Sequence, residues 1–401
     1  MKYLYVSLIG RSSAAGVIKK VIAKVTTLRQ YLDIEGLIML RDIEHIDQYG
    51  QIEGIHFSMI KTHYTDLLKE FLESRSFGLV FMRYPGGSRA LLRFLDQEKP
   101  RLLFEHNSKE IEEKRFYLKS FKLKDYLYQL SRGQKNLLQH WRYLYEEWKW
   151  GPVCLARAKG GIAVTHEIAA YEENRCKSYK VAVIPNGIDF TGIQARTAPL
   201  FDESTGLTLL FSSGSANAWH GLDRFLTGLS NYKGKTPVTL YIVGLYLYHY
   251  QPLIDQLNHR ENLEVICTGL VNKEEMSIYM AKAHIGIGSL GLHRIPLKEA
   301  STLKVREYCS VGLPFIISHE DVDLELHPEF KPFYQTFAAN DSPIDLSLVL
   351  DFAHELYQIE QFELELRKLA EMHLSTDAKM KTLAGILAAY AQKESPTLAH
   401  S

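Results

Sequence analysis

The chain has 401 residues, of which 46% are hydrophobic and 23% charged, a composition that excludes long disordered or low-complexity classes. At about 150 residues per domain, this length predicts two or three domains. Lys and Arg together number 47, as do Asp and Glu. No excess of positive charge is therefore available to hold a nucleic-acid backbone, and nucleic acid is not an expected partner.

The four cysteines are far apart and form no C-x-x-C pair, so they are expected to be buried thiols in a reducing compartment. No apolar run reaches the ~18 residues that crossing a bilayer requires. The start of the chain superficially resembles a signal peptide, but its apolar part, residues 3–9, better fits a buried strand. A cytoplasmic protein is expected.

Short apolar runs alternate with segments of helical period, which is typical of βαβ units and parallel sheets. In the first half, helices are predicted at 17–32 and 65–73. The strands predicted there are 3–9, 36–40, 78–82, 101–104, 161–164 and 181–184. In the second half, the predicted strands are 207–212, 238–243, 263–267, 284–288 and 314–317.

Pro185, Asn186 and Gly187 separate the two sets of strands and suit a hinge. The predicted fold is α/β, with two Rossmann-like doubly wound domains facing a cleft. The predicted boundaries are 1–186, 187–375 and, for a C-terminal helix and tail, 376–401.

Residues 115–150, in a predicted insertion at 111–158, carry eight Lys or Arg, three Asp or Glu and ten aromatic residues. Basic residues interleaved with Trp and Tyr suit the interface of an anionic membrane. An aromatic pair of core helices with basic side chains reaching solvent is the alternative. The first interpretation predicts peripheral association with the inner face of the cell membrane.

Residues 298–318 hold the most informative pattern. Glu299 and Glu307 are separated by seven residues, and Lys304 lies one turn before Glu307 on a helix predicted at 302–311. A nucleotide sugar needs such a group: carboxylates for ribose and sugar hydroxyls, and a helix N-terminus with a cation for the diphosphate. A surface helix with an incidental Glu–Lys pair is the alternative.

Three further segments precede this pattern: V-I-P-N-G-I-D at 183–189, A-W-H-G-L-D at 218–223 and H-I-G-I-G-S-L-G-L-H-R at 284–294. Together they resemble the retaining glycosyltransferases of the GT-B type, family four (glycosyl transferases group 1). The resemblance is specific over 183–318 and looser in the first half.

The resemblance implies that Glu307 binds the ribose and Glu299 the transferred sugar. It implies that Lys304 holds the diphosphate with the amides around Ser301, Thr302 and Leu303, and that His106 lies near the sugar or the leaving group. Gly214 and Gly16, each in the region after the first strand of its half, and also Arg294 and His220, complete the predicted donor-binding set. No metal and no cofactor are expected.

Some of these residues have an ordinary structural alternative. His106 could be a core or capping histidine, Arg294 a solvated loop charge, and Gly16 part of a strand-to-helix turn. The sequence also departs from the family at two positions: His220 stands where a lysine is usual, and residues 212–215 lack the usual arginine. Lys304, helped by Arg294, could replace these cations, or donor turnover could be lost.

The predicted function is transfer of a sugar, as by a hexosyltransferase, from a nucleoside diphosphate to a hydroxyl of a glycan or lipid-linked acceptor, with retention of configuration. Polysaccharide biosynthesis is the expected setting. The partners expected are a nucleotide sugar, that acceptor and an anionic membrane surface at 115–150. The alternatives are a nucleotide-sugar epimerase and a non-catalytic, membrane-associated subunit of glycan assembly.

Overall fold

The computed structural model describes residues 1–9, 14–41, 51–120, 136–202 and 204–392. The chain forms two compact units. Unit 1 comprises Met1–Ile184 and Asp377–Ser401, and unit 2 comprises Pro185–Thr376. The division falls two residues before the predicted boundary, and the C-terminal helix is part of unit 1.

Unit 1 contains a seven-stranded parallel sheet in the order β3-β2-β1-β4-β5-β6-β7. Its strands are β1 (Tyr3–Ile9), β2 (Ile34–Leu40), β3 (Ile55–Met59), β4 (Leu79–Arg83), β5 (Leu102–His106), β6 (Gly160–Ala163) and β7 (Val181–Val183). In β1, Tyr3 pairs with Ile34 on one side and Leu79 on the other. Both faces of this central strand are buried, which accounts for its continuous apolar run.

Unit 2 contains a six-stranded parallel sheet in the order β10-β9-β8-β11-β12-β13. Its strands are β8 (Leu207–Ser213), β9 (Val238–Gly244), β10 (Leu263–Gly269), β11 (Ile285–Ile287), β12 (Phe315–Ile317) and β13 (Tyr334–Thr336). In both sheets the strand order reverses beside the first strand, as in Rossmann folds. The predicted fold of two doubly wound α/β domains is confirmed.

The described helices before Pro185 are α1 (Ala14–Leu28), α2 (Tyr64–Glu73), α3 (Arg89–Glu98), α4 (Glu110–Ser120), α5 (Asn136–Arg157) and α6 (His166–Arg175). Those of unit 2 are α7 (Leu222–Asn231), α8 (Gln251–Leu257), α9 (Lys273–Lys282), α10 (Leu303–Val311), α11 (Val322–Leu326), α12 (Leu346–Leu356) and α13 (Phe362–His373). Short 3₁₀ segments include Ala218–His220, Leu292–Arg294 and Pro328–Phe333.

The last helix, α14 (Thr376–Gln392), completes the core of unit 1. Its buried side chains include Met380, Leu383 and Leu387, which pack in one cluster with Tyr5 and Ile38 of the central strands. The apolar side chains of this helix therefore cover the sheet that begins with β1.

The sequence missed β3 and β13. Each is an edge strand of its sheet, and neither is a continuous buried apolar run. Polar residues interrupt both strands, I-H-F-S-M and Y-Q-T, so they lack the apolar pattern that identified the other strands, including the edge strands β7 and β10.

All four cysteines are free thiols, but the expectation that all are buried is wrong. Cys154 and Cys309 are buried, whereas Cys267 is exposed because it lies on the edge strand β10. Among the helices of the described residues, none has the length and apolar character needed to cross a membrane.

Candidate active site

The candidate site in unit 2 lies where its strand order reverses. The neighbouring strands β8 and β11 end at Ser213 and Ile287, and the chain leaves them toward opposite sides of the sheet. In open parallel sheets, ligands bind at this crevice, beyond the carboxyl ends of the strands. The two loops are joined there, since the amides of Leu290 and Gly291 donate to the carbonyls of His220 and Trp219 at 3.0 and 3.1 Å.

His220 and Gly214 both belong to the loop after β8. The His220 Nε2 lies 3.3 Å from the Ser215 hydroxyl, while its buried Nδ1 has no hydrogen-bond partner among the described residues. Burial, with a smaller effect of the Lys304 charge, lowers the pKa of His220 to about 3, so the imidazole is neutral. A Cβ at Gly214 would meet no described atom within 4 Å, so the chain there borders open space.

Lys304 lies in the first turn of α10, where the backbone N–H groups of a helix lack intrahelical partners. Its ammonium nitrogen is buried and has no hydrogen-bond partner in the described part of the chain. It lies 4.7 Å from the centre of the Phe211 ring. Burial lowers the pKa of Lys304 to about 8, against the opposing effect of Glu307.

Of the other buried polar atoms without a partner in the described chain, three belong to the start of α10 and to loops at this end of the sheet: the Thr302 hydroxyl, the His220 Nδ1 and the His319 Nε2. His319 follows β12, and its Nδ1 lies 3.1 Å from the Ser289 carbonyl. Burial lowers the pKa of His319 to about 4, and the Lys304 charge contributes, as it does at His220. Buried polar groups normally find partners, so this cluster indicates a place where a polar ligand supplies them.

The two carboxylates of the sequence pattern border this cluster. Glu307 is solvent-exposed on α10, yet desolvation by the surrounding protein raises its pKa, with Lys304 opposing the rise. Glu299 is half-buried in the loop before α10, where its backbone bridges that of Glu320 just beyond β12. The loop is held there because Ala300 donates to the Glu320 carbonyl at 2.9 Å.

Ser301 and Arg306 fix the start of α10 to the turn that opens unit 2. The Ser301 hydroxyl accepts from the Asn186 amide at 2.8 Å, and its carbonyl accepts from the Asn186 side chain at 2.6 Å. Fully buried Arg306 donates to the Asn186 carbonyl and to both Asp321 and Asp323. Leu303 is 41% exposed. The Pro-Asn-Gly turn is thus bonded to the helix that carries Lys304.

Arg294 is engaged with protein groups. It donates to both oxygens of Asp223 at 2.9 and 2.7 Å, to Asp341 at 2.8 Å and to the Ala218 carbonyl at 2.6 Å. Its Nη2 also lies 2.7 Å from the same Asp341 oxygen, so all five N–H donors face protein oxygens. Its role in the structure is to join the loop after β11 to the start of α7. A planar guanidinium satisfied in this way has no donor left for a phosphate without giving up one of these bonds.

Unit 1 has its own cleft at the corresponding reversal. Ile9 at the end of β1 and Arg83 at the end of β4 line this cleft of about 1340 Å³. Its polar side chains are those of Arg41, Thr62, His63, Tyr64, Arg83, Tyr84, Ser108, Glu110, Glu113, Lys114, Gln139, His140 and Tyr143. Burial raises the pKa of Glu110 to about 7, and Tyr143 donates to that carboxyl group at 3.1 Å. The cleft therefore offers both donors and acceptors to a polar ligand.

His106 is only 2% exposed and belongs to a buried polar network. Its Nε2 lies 2.9 Å from the Tyr179 hydroxyl and its Nδ1 lies 3.7 Å from a carboxylate oxygen of Glu172. Burial lowers the pKa of His106 to about 3. This geometry fits the core role that the sequence left open, since almost none of the ring can touch a substrate.

Gly16 lies within α1 and not in a loop before it, because the helix begins at Ala14.

The structure brings Lys304, Thr302, Glu307, Glu299 and His220 to one edge of the unit 2 sheet, with Ser301, Leu303 and Gly214 beside them. Sequence reasoning missed His319. Its position directly after a predicted strand, at the end where ligands bind, was the available signal.

No protein-family model matches the sequence, and no curated protein is significantly similar to it. Solved structures do match. A glycosyltransferase from Rickettsia africae aligns over 98% of this chain and 100% of its own, with a TM-score of 0.65 at 12% identity. Sucrose-phosphate synthase from Thermosynechococcus elongatus aligns over 96% and 98%, with a TM-score of 0.69 at 11% identity.

HepE from Anabaena, solved in complex with UDP-glucose, aligns over 97% of this chain and 100% of its own, with a TM-score of 0.63 at 15% identity. The chain has the GT-B fold. At these identities the likeness establishes the architecture alone, because one fold can carry many different functions.

Proposed function

We propose that this chain is a retaining glycosyltransferase that moves a sugar from a nucleoside diphosphate to a hydroxyl group. The observation that carries the proposal is the buried ammonium of Lys304 without a hydrogen-bond partner in the described chain, at the N-terminus of α10. A diphosphate bound there would accept hydrogen bonds from this ammonium, from the free amides of the helix and from the neighbouring Thr302 hydroxyl. The GT-B fold supports this assignment, and the HepE structures contain UDP or UDP-glucose.

In the proposed reaction, the bond from the anomeric carbon to the diphosphate breaks and a bond to the acceptor oxygen forms on the same face of the sugar. The acceptor proton passes to the departing diphosphate oxygen. Lys304 and the dipole of α10 stabilise the charge that grows on that oxygen. Glu307 accepts hydrogen bonds from the ribose, and Glu299 accepts them from the transferred sugar.

We propose that this turnover needs no metal, since Lys304 and the α10 N-terminus supply the positive charge opposite the diphosphate. The acceptor, a glycan or a lipid-linked sugar, is assigned to the unit 1 cleft. Its volume of about 1340 Å³ exceeds that of ordinary small-molecule pockets and suits an extended ligand. Paired donors and acceptors such as Arg83 and Glu110 suit sugar hydroxyls.

The function is tested by incubating the full chain with a panel of nucleotide sugars, with and without EDTA. Transfer or slow hydrolysis, seen as released nucleoside diphosphate, supports the proposal. Glu307→Ala should raise the Kd for the donor by about tenfold or more, because a hydrogen bond to a charged group is worth about 1.5–3 kcal/mol. The control Glu360→Ala removes an exposed carboxylate of the same unit and should change nothing.

Three outcomes would contradict this function. Isomerisation of the sugar without transfer would identify an epimerase. Absence of binding to every donor would favour a scaffold that lost catalysis. Donor binding without turnover, when acceptors are supplied, would favour the same scaffold.

We also propose that α5 attaches the protein to an anionic membrane. One face of this helix carries four exposed apolar or aromatic side chains at intervals of three and four residues: Leu138, Trp141, Tyr145 and Trp148. The opposite face is buried, where Glu147 accepts from the Tyr84 hydroxyl at 2.8 Å. The segment 115–150 has an excess of five positive charges by composition, which complements anionic lipid; residues 121–135 of it lie outside the described residues.

Changing Trp141 and Trp148 together to serine should weaken binding to phosphatidylserine vesicles at low salt by at least about tenfold. Burying one large apolar side chain is worth about 1.5–3 kcal/mol, so losing two removes most of the apolar attraction. Co-sedimentation measures the effect. The control Tyr248→Ser removes an even more exposed aromatic ring from unit 2 and should leave binding unchanged. A wild-type chain that does not bind these vesicles would contradict the membrane role.

A further inference from the structure

Three metal-ligating side chains meet on unit 2, apart from the donor-site residues. They are His327, Glu329 and His373, each of which offers one ligand atom within 4.8 Å of the others. One Glu329 oxygen lies 3.7 Å from His327 Nδ1 and 3.2 Å from His373 Nε2. Within the part of the chain that the structure describes, no second group of this kind occurs.

These distances match the edges of a metal coordination polyhedron. Zinc binds imidazole nitrogen at about 2.0–2.1 Å and carboxylate oxygen at about 2.0–2.2 Å, so neighbouring ligand atoms of a tetrahedron lie roughly 3.3–3.5 Å apart. The two carboxylate-to-imidazole distances fall on either side of that value. The His rings are stacked at 3.6 Å with an interplanar angle of 29°. One ring must therefore turn about its Cβ–Cγ bond to direct both lone pairs at one ion.

The surroundings suit a site with solvent access. The side chains of His327 and His373 are 24% and 17% exposed, and that of Glu329 is 43% exposed. The ring of buried Phe330 lies 6.2 Å from His373 and supports one side of the group. Three protein ligands leave a coordination position for water.

We propose that His327, Glu329 and His373 bind a divalent transition-metal ion of the zinc class. Two imidazoles and one carboxylate form a borderline ligand set, which favours Zn²⁺, Co²⁺ or Ni²⁺ over Mg²⁺ and Ca²⁺. The proposal is independent of the donor site and of sugar transfer.

The ion would join two parts of unit 2 that are distant in sequence. His373 is the last residue of α13, His327 directly follows α11, and Glu329 lies in the segment Pro328–Phe333. The residue after His373, Leu374, accepts from the Ile188 amide at 2.8 Å. A bound ion would hold the end of α13 where the chain pairs with the start of unit 2, and would raise thermal stability with metal concentration.

The test uses the full chain without a polyhistidine tag, stripped of metal and titrated with Co²⁺ and with Zn²⁺. Visible absorption of bound Co²⁺ and calorimetry of Zn²⁺ should both show one ion per chain. His373→Ala and Glu329→Gln should each weaken Zn²⁺ binding by at least about tenfold, since even partners outside the ligand set cost 10–100-fold. Mg²⁺ should not compete.

The matched control is His259→Ala, which removes an exposed histidine elsewhere in unit 2 and should leave one ion per chain bound. Thermal unfolding without metal shows whether each variant is folded. Glu329→Gln changes the shape of the side chain less than His373→Ala does, so it is the variant expected to keep the fold. The proposal is overturned if the folded Glu329→Gln and His373→Ala variants bind Zn²⁺ as the wild type does, or if the wild type shows no stoichiometric binding.

Discussion

Replacing Lys304 with alanine should lower kcat for sugar transfer by about 100-fold or more, the loss expected for a preorganised electrostatic group. Its ammonium is buried at the start of α10 and has no partner in the described chain, so it is placed for a ligand charge and not for an internal ion pair. The charge on the diphosphate grows as the glycosidic bond breaks, so the loss should fall mainly on kcat. Steady-state kinetics with a saturating acceptor distinguish this loss of kcat from the effect of Glu307→Ala, which should change donor affinity.

Arginine at position 304 should rescue turnover only in part, because its planar fork differs in shape from an ammonium.

Lys304→Arg should also remove the pH dependence of donor binding. The pKa of Lys304 is about 8 in the free protein, and a bound diphosphate favours the charged form. Donor affinity of the wild type should therefore fall above pH 8, by up to about tenfold per pH unit, whereas that of Lys304→Arg should not.

The control for both experiments is Lys282→Ala, which removes an exposed lysine at the end of α9. Near-normal turnover of Lys304→Ala would refute the assigned role. Arg294 could then take over only by leaving Asp223 and Asp341, so kinetics of an Arg294 variant would follow.

Arg306→Met should lower the free energy of unfolding of unit 2 by about 3–5 kcal/mol, the usual cost of removing one partner from a buried ion pair. Arg306 is fully buried and donates to both oxygens of Asp321 and to Asp323 at 2.7 Å. Methionine would fill much of the space but leave two buried carboxylates without their cation. For a unit of this size the midpoint should fall by roughly 6–20 °C. Calorimetry of the full chain measures it.

Glu371→Gln provides the comparison. It removes the carboxylate of another arginine–carboxylate pair in unit 2, at 2.8 Å from Arg367, but this carboxylate side chain is 48% exposed. Exposed i,i+4 pairs are worth about 0.3–0.5 kcal/mol, so this variant should unfold almost as the wild type does. Equal losses of stability from the two changes would show that the buried ion pairs of Arg306 contribute no more than an exposed pair does.

The central strands of both sheets could be predicted because strands buried on both faces are continuous apolar runs. Tyr3–Ile9 was predicted to the residue, and most others within two residues at either end. The edge strands β3 and β13 could not, since polar residues interrupt their short apolar patterns. A C-terminal helix was predicted, but the sheet that α14 covers could not be, because this contact joins residues far apart in sequence.

Part of the candidate site could also be predicted from the sequence, and part could not. The spacing of Lys304 and Glu307 placed these two side chains by local helix geometry alone, whereas Glu299 lies in the loop before that helix. The partners of Arg294 could not be predicted, because Asp223 and Asp341 are 71 and 47 residues away in sequence. His106 was ambiguous for the same reason, since its burial depends on Tyr179 and Glu172 in another part of unit 1.

The contribution of α14 to unit 1 has a consequence for the order of events during synthesis. Unit 2 is one continuous stretch, Pro185–Thr376, and can complete its fold as soon as it leaves the ribosome. Unit 1 starts before unit 2 in the chain but lacks Met380, Leu383 and Leu387 until α14 has been synthesised, so part of its sheet stays uncovered while nearly 200 further residues emerge. A nascent chain stopped before α14 would carry a finished second unit and an unfinished first one, and chaperone binding should concentrate on the strands that this helix later covers.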